Sequence, residues 1–372
     1  MTVRLSAVGD IALSGKIADA IRAHGPAWVL QDVGRVLDPA DFVVANFEFP
    51  ATRERRAHIL SARPHMFTEP EHVEALAACR WSVFTIATNH VLDWGPEGIS
   101  TTRELLQRGG AQVIGAGLSI REAGAPACVD CQGIRFAFLA YCKRGEYDAG
   151  PESPGANPLV PAIAVQDVVR LKQGGADHVI VSLHWGVEFS SYPAMSDVHL
   201  ARSLVDAGAS LIIGHHPHTL QGIERYGTGV IAYSLGNFVA DMTLDRPPRE
   251  EAWQLGHRGG VLRVEFDEKS VVGMDFVPTL IDGSMQTVVP GELETGRIRA
   301  FLREISRDIG TDKFYETALP NLAAREARAW LAKIREHGPA GILLLLRTLK
   351  WKHLRMAIGY AGVQIKRVLH LR

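Results

Sequence analysis

The chain has 372 residues, 47% of them hydrophobic and 22% charged, enough for one large core plus an appendage, and a formal net charge of −1. Four cysteines, Cys79, Cys128, Cys131 and Cys142, are too few for a disulfide framework in a chain this long. No stretch of 18 or more apolar residues suits a membrane span, and the N-terminus lacks the basic leader and apolar core of a secretory signal, so the expected location is cytoplasmic.

In chain order, Val3–Val8 reads as a first core strand, Ser14–His24 as a helix and Phe42–Asn46 as a second strand. A helix over Pro70–Ala78 precedes a strand at Val83–Thr88, and a helix over Pro96–Gly109 precedes one at Val113–Gly115. Strands at Arg135–Ala140, His178–Leu183 and Leu211–Gly214 alternate with helices over Val165–Gln173 and Ser196–Ala207. This alternation predicts α/β layers. Strands at Val230–Ser234, Val261–Phe266 and Val271–Pro278 follow without helices between them, so part of the sheet should be antiparallel. Beyond about residue 292 the pattern turns helical, over Leu293–Ile309, Leu319–Glu336 and Gly341–Leu371. The expected division is an α/β domain over 1–285 and a helical, basic extension over 292–372. Cys128-Val129-Asp130-Cys131 has the spacing of a redox or half-zinc pair, but no second pair completes a cage; the plainer reading is two small residues at a strand turn.

Ligand-type side chains recur where these strands end. Asp10 follows the first strand, Asn46 and Glu48 the second, and Asn89, His90 and Asp93 the third. His184 and Glu188 come next, then His215, His216 and His218, and finally Asn237. Strand ends deliver side chains to a common edge, and imidazole, carboxylate and amide groups together can hold two divalent cations bridged by one carboxylate. Such a pair polarises a phosphoryl group and activates water, while a nearby imidazole protonates the leaving group.

The segments Gly9-Asp10-Ile11, Asn46-Phe47-Glu48, Ala87 to Gly95, His184 to Glu188, Gly214 to His218 and Ser234 to Phe238 resemble, in order, the bacterial capsule-synthesis CapA (poly-γ-glutamate capsule protein) family. That resemblance implies a calcineurin-like metallophosphoesterase fold, a four-layer α/β/β/α sandwich, and two divalent metals such as Mn, Fe or Zn. It further implies that Asp10 and His218 bind the first metal, that Glu48 bridges, and that Asn89, His184 and His216 bind the second. His90 takes the place of the general acid, with Asp93 as its carboxylate partner. His216-Pro217-His218 fits the family's His-x-His spacing better than a pairing that uses His215. One departure stands out: phosphoesterases of this fold begin with Asp-x-His, and here the third position is Ala12.

The C-terminal extension reads differently. From His337 to Arg372 there are seven Lys or Arg and no Asp or Glu, which leaves −8 on the rest of the chain. Leucines, Trp351 and dense basic charge over 341–372 suit a helix lying on the anionic inner face of a membrane, or one packed on the acidic body. No aromatic-interleaved strand accompanies the charge, so no nucleic-acid partner is expected. The expected function is a metal-dependent phosphoesterase serving capsule or exopolysaccharide assembly, with a phosphoester or anionic-polymer substrate. The alternative is a non-catalytic metal-binding scaffold in a membrane-associated capsule-assembly complex.

Overall fold

A computed structural model describes residues 1–37, 40–53, 65–77, 79, 81–143, 147–241 and 255–318. The polar stretch 246–251 and the two helices expected over Leu319–Glu336 and Gly341–Leu371 lie outside the described residues.

The helices are α1 (Gly15–His24), α2 (Gly34–Leu37), α3 (Pro70–Ala77), α4 (Pro96–Arg108), α5 (Ile120–Ala123), α6 (Pro161–Gln173), α7 (Met195–Asp206) and α8 (Glu292–Arg307). The first sheet runs β16 (Thr287–Val288), β15 (Val271–Ile281), β14 (Arg258–Phe266), β1 (Val3–Ala12), β2 (Phe42–Phe47), β3 (Val83–Thr85), β4 (Gln112–Ile114). β13 (Asn237–Ala240) joins the far end of β1. The second sheet runs β11 (Ile223–Tyr226), β12 (Gly229–Ala232), β10 (Ala209–His215), β9 (His178–His184), β7 (Ile134–Cys142), β6 (Ala127–Cys131). A small ribbon pairs β5 (Ala116–Gly117) with β8 (Gly155–Ala156).

Strand periodicity sorts the second sheet's side chains into two layers. Phe136, Phe138 and Ala140 of β7 join the large core shared with the first sheet, whereas Ala137, Leu139 and Tyr141 pack with Ala164 and Val168 of α6 and Val198, Ala201 and Leu204 of α7. Across the middle, the Phe42 ring meets Phe136 at 5.2 Å and Phe138 at 5.9 Å between centroids, and Phe136 meets Phe266 at 5.4 Å. The same core takes in Ile17 and Ile21 of α1, Val73 and Leu76 of α3, and Ile99 and Leu106 of α4. This is the α/β/β/α sandwich expected from the sequence. Strands β1, β2, β3 and β4 are parallel with helices between them, and β14 and β15 pair antiparallel, as the missing crossover helices require.

Both sheets therefore point the C-terminal ends of their parallel strands, β1 and β2 in one and β9 and β10 in the other, toward the residues that carry the motifs. Close backbone approach there demands glycine. A Cβ on Gly9 would sit 2.0 Å from the Gly236 carbonyl oxygen, and one on Gly214 would sit 1.8 Å from that of Tyr233. Neither backbone neighbour can swing aside.

The first turns of the extension dock on the body. Ile298, Leu302 and Ile305 of α8 bury against Leu220, and the Ile223 amide donates to the Ser306 hydroxyl at 2.9 Å. Cys128 and Cys131 lie on the edge strand β6, followed by a turn at Gln132 and Gly133. Three residues apart in a strand, they face opposite sides, which rules out pairing with each other. Among the described residues no helix is long and apolar enough to cross a membrane.

Candidate metal centre

Asp10 ends the straight part of β1, where a bulge admits two neighbours: Asn46 of β2 on one side and Asn237 of β13 on the other. Its carboxylate is fully buried and heavily used. Oδ1 accepts from the Asn46 amide at 2.9 Å and from His215 Nδ1 at 3.1 Å, and Oδ2 accepts from the His216 backbone amide at 3.0 Å. Two residues after Asn46, Glu48 is 1% exposed and its own backbone carbonyl accepts from the Thr88 hydroxyl at 2.8 Å.

The second sheet supplies the imidazoles. Parallel pairing of β9 with β10 sets His184 beside His215, and the chain then turns sharply through His216-Pro217-His218. His216 and His218 take φ of +91° and +56°, a left-handed backbone that non-glycine residues seldom adopt and that accumulates at functional sites. Two clusters of ligating atoms result, each with all atoms within 4.8 Å of one another: Asp10, Glu48 and His218 in one, and Glu48, His184 and His216 in the other. Glu48 belongs to both. Asn89 joins the second, its Oδ1 2.7 Å from His184 Nε2. His215 is in neither cluster and braces Asp10.

These donors fit divalent cations. Carboxylate oxygens and neutral imidazoles are the usual ligands of zinc, manganese and iron. Glu48 Oε2 is buried without a hydrogen-bond donor, an expensive arrangement unless a cation neutralises it. Asn237 prepares His218 for the same task. The ring's Nδ1–H donates to Asn237 Oδ1 at 2.9 Å, which leaves Nε2 facing Glu48 Oε1 at 3.3 Å. The sequence placed Asn237 at a strand end but gave it no role; only the pairing of β13 with β1 brings it to His218.

The electrostatics follow from burial and charge together. Burial pushes the His218 imidazole down, yet Glu48 and Asp10 outweigh it and raise it to about 10. Burial pushes Asp10 up, but the His215 hydrogen bond and the surrounding imidazoles carry it down to about 2.

Beside the clusters, His90 Nδ1 donates to Asp93 Oδ2 at 2.7 Å, and the same oxygen accepts from the Met66 amide at 2.8 Å. Asp93 is fully buried, while the His90 side chain keeps 14% exposure. The Phe49 ring meets the His90 ring edge-on at 5.1 Å. Phe49 also packs with Ala12, Ala240 and Met66, so the third position of the Asp-x-His pattern belongs to a small apolar cluster.

The capsule biosynthesis protein CapA of Bacillus anthracis is 28% identical over 313 residues, covering 82% of this chain and 73% of the relative. The PGA biosynthesis protein CapA of Bacillus subtilis is 29% identical over 307 residues, covering 82% and 77%. Among solved structures, a calcineurin-like phosphoesterase from Bacillus subtilis covers 82% of this chain and 98% of its own, at 14% identity and a TM-score of 0.44. A superposition this loose assigns no residue and no activity. The sequence pattern of the bacterial capsule synthesis protein PGA_cap family matches residues 4–242, and the chain belongs to that family.

Proposed function

We propose that the chain is a divalent-metal-dependent phosphoesterase acting in capsule or exopolysaccharide assembly of the poly-γ-glutamate type. The observation that carries this reading is the sharing of Glu48 between two buried clusters of ligating atoms. Asp10, Glu48 and His218 would hold one ion, and Glu48, Asn89, His184 and His216 the other. The two ions would supply charge stabilisation for a phosphoryl group and a water nucleophile at neutral pH. The protein's own groups do the rest. His215 and Asn237 fix the ligand orientations, and the packed sheets exclude bulk water. His90 gives a proton to the leaving oxygen from Nε2, its Nδ1 being held by Asp93. The direct test is turnover of a generic phosphodiester by the metal-free chain reloaded with Mn2+. Turnover lost in His216→Ala supports the reading; metal binding without turnover on any phosphoester rejects it.

The raised His218 gives a pH test. In the metal-free protein its contribution to stability is complete below the unfolded value of 6.5 and is lost as pH rises through about 10. Asp10 runs the other way, contributing above 3.8 and losing its share as pH falls toward 2. A cation at His218 must displace the proton, so Mn2+ binding at pH 8 should release about one proton. Calorimetric heats that vary with buffer ionisation enthalpy would show it; buffer-independent heats would contradict it.

A second reading, a non-catalytic metal-binding scaffold, draws on one observation: Ala12 packs among apolar side chains where phosphoesterases of this fold carry a histidine. For either reading we propose that the basic segment 341–372, which lies outside the described residues, attaches the chain to anionic membranes. Deleting 338–372 should abolish sedimentation with phosphatidylglycerol-containing vesicles, and equal sedimentation of both forms would reject the attachment.

A further inference from the structure

Among the described residues the first cluster draws three ligands from carboxylates and imidazoles, because Ala12 contributes none. Its neighbour Asn46 is the strongest candidate for the fourth. Asn46 stands opposite Asp10 in the strand register and two residues before Glu48, so all three side chains emerge at one sheet end. It is fully buried, and its Nδ2 lies 2.9 Å from Asp10 Oδ1. Its Oδ1 is buried without a hydrogen-bond donor, which costs free energy unless something else engages it. We propose that Asn46 Oδ1 is the fourth ligand of the first cation, replacing the imidazole that Ala12 lacks. This rests on the two-metal reading above. A carboxylate without a cation attracts the amide's NH2 end; a cation between them reverses that preference, and a half-turn of the amide plane exchanges nitrogen for oxygen.

The substitution changes what the site selects. Asp10, Glu48, Asn46 and His218 offer three oxygens and one nitrogen, whereas Glu48, Asn89, His184 and His216 offer two of each. Oxygen-rich sites suit Mn2+ or Mg2+ and imidazole-rich sites suit Zn2+, so the two positions bind Mn2+ with unequal strength.

Mn2+ titration of the metal-free full-length chain, followed by calorimetry and the electron paramagnetic resonance of free Mn2+, tests this without reference to turnover. Wild type should bind two ions in separate steps. Asn46→Ala should leave one step unchanged and weaken the other about 10- to 100-fold, the range typical for groups that support a bound metal. Asn46→Asp, which can accept but not donate, should tighten the step that Asn46→Ala weakens. Two wild-type steps unaltered in both variants would overturn the assignment alone. Loss of both steps in Asn46→Ala, or that same step weakened in Asn46→Asp, would make Asn46 a donor that merely steadies Asp10 and would also overturn it. A wild-type chain that binds no Mn2+ would overturn the two-metal reading and this inference together.

Discussion

Replacing Glu48 with alanine should remove both metals and all phosphodiester turnover, the largest effect of any single change in this chain. Every other ligand serves one cluster, but Glu48 sits in both. Its loss leaves Asp10, Asn46 and His218 on one side and Asn89, His184 and His216 on the other, with one carboxylate for two dications and nothing to bridge them. The metal-free fold should also loosen, because Glu48 is the chief attraction holding His218 charged in a buried place. Glu48→Gln separates these effects. It keeps the volume and one oxygen acceptor, so the fold should survive, while the missing charge weakens both ions. Equal metal content in wild type and Glu48→Ala would refute the bridging role.

Changing His90 to alanine should leave metal content unaltered and lower kcat by about 10²- to 10⁴-fold, the range for a lost general acid. The reason lies in its surroundings. His90 belongs to neither ligand cluster, yet it follows Asn89 directly and remains the partly exposed member of the group. Asp93 acts through it. Asp93→Asn keeps the shape but offers His90 Nδ1 a weaker partner, and kcat should fall about 10- to 100-fold, as for other groups that orient a catalytic imidazole. A His90→Ala protein with wild-type kcat would remove His90 from the chemistry.

The layer order was legible because the physics is local. Val179-Ile180-Val181 and Leu211-Ile212-Ile213 are apolar on both faces, as strands buried between another sheet and helices must be. Placing ligand-type residues at the ends of such strands makes their convergence foreseeable without coordinates. What escaped were contacts set by pairing between distant strands. β13 is only four residues long, and its place beside β1 depends on glycines at 9 and 236 that permit backbone approach, so the role of Asn237 could not be read from its spacing. β6 and β11 are edge strands with mixed patterns, where one solvated side weakens the apolar signal. Between His215 and His216 the spacing offered a preference but no cause; the backbone turn aims one ring at Asp10 and the next toward Glu48 and His184.

The central claim is that one carboxylate holds two cations between the sheet ends. A crystal of the Mn2+-loaded chain, with anomalous scattering recorded at the manganese edge, measures it directly. The account predicts two anomalous peaks about 3.5–4 Å apart, both touching Glu48. A single peak, or peaks that share no Glu48 oxygen, would contradict it.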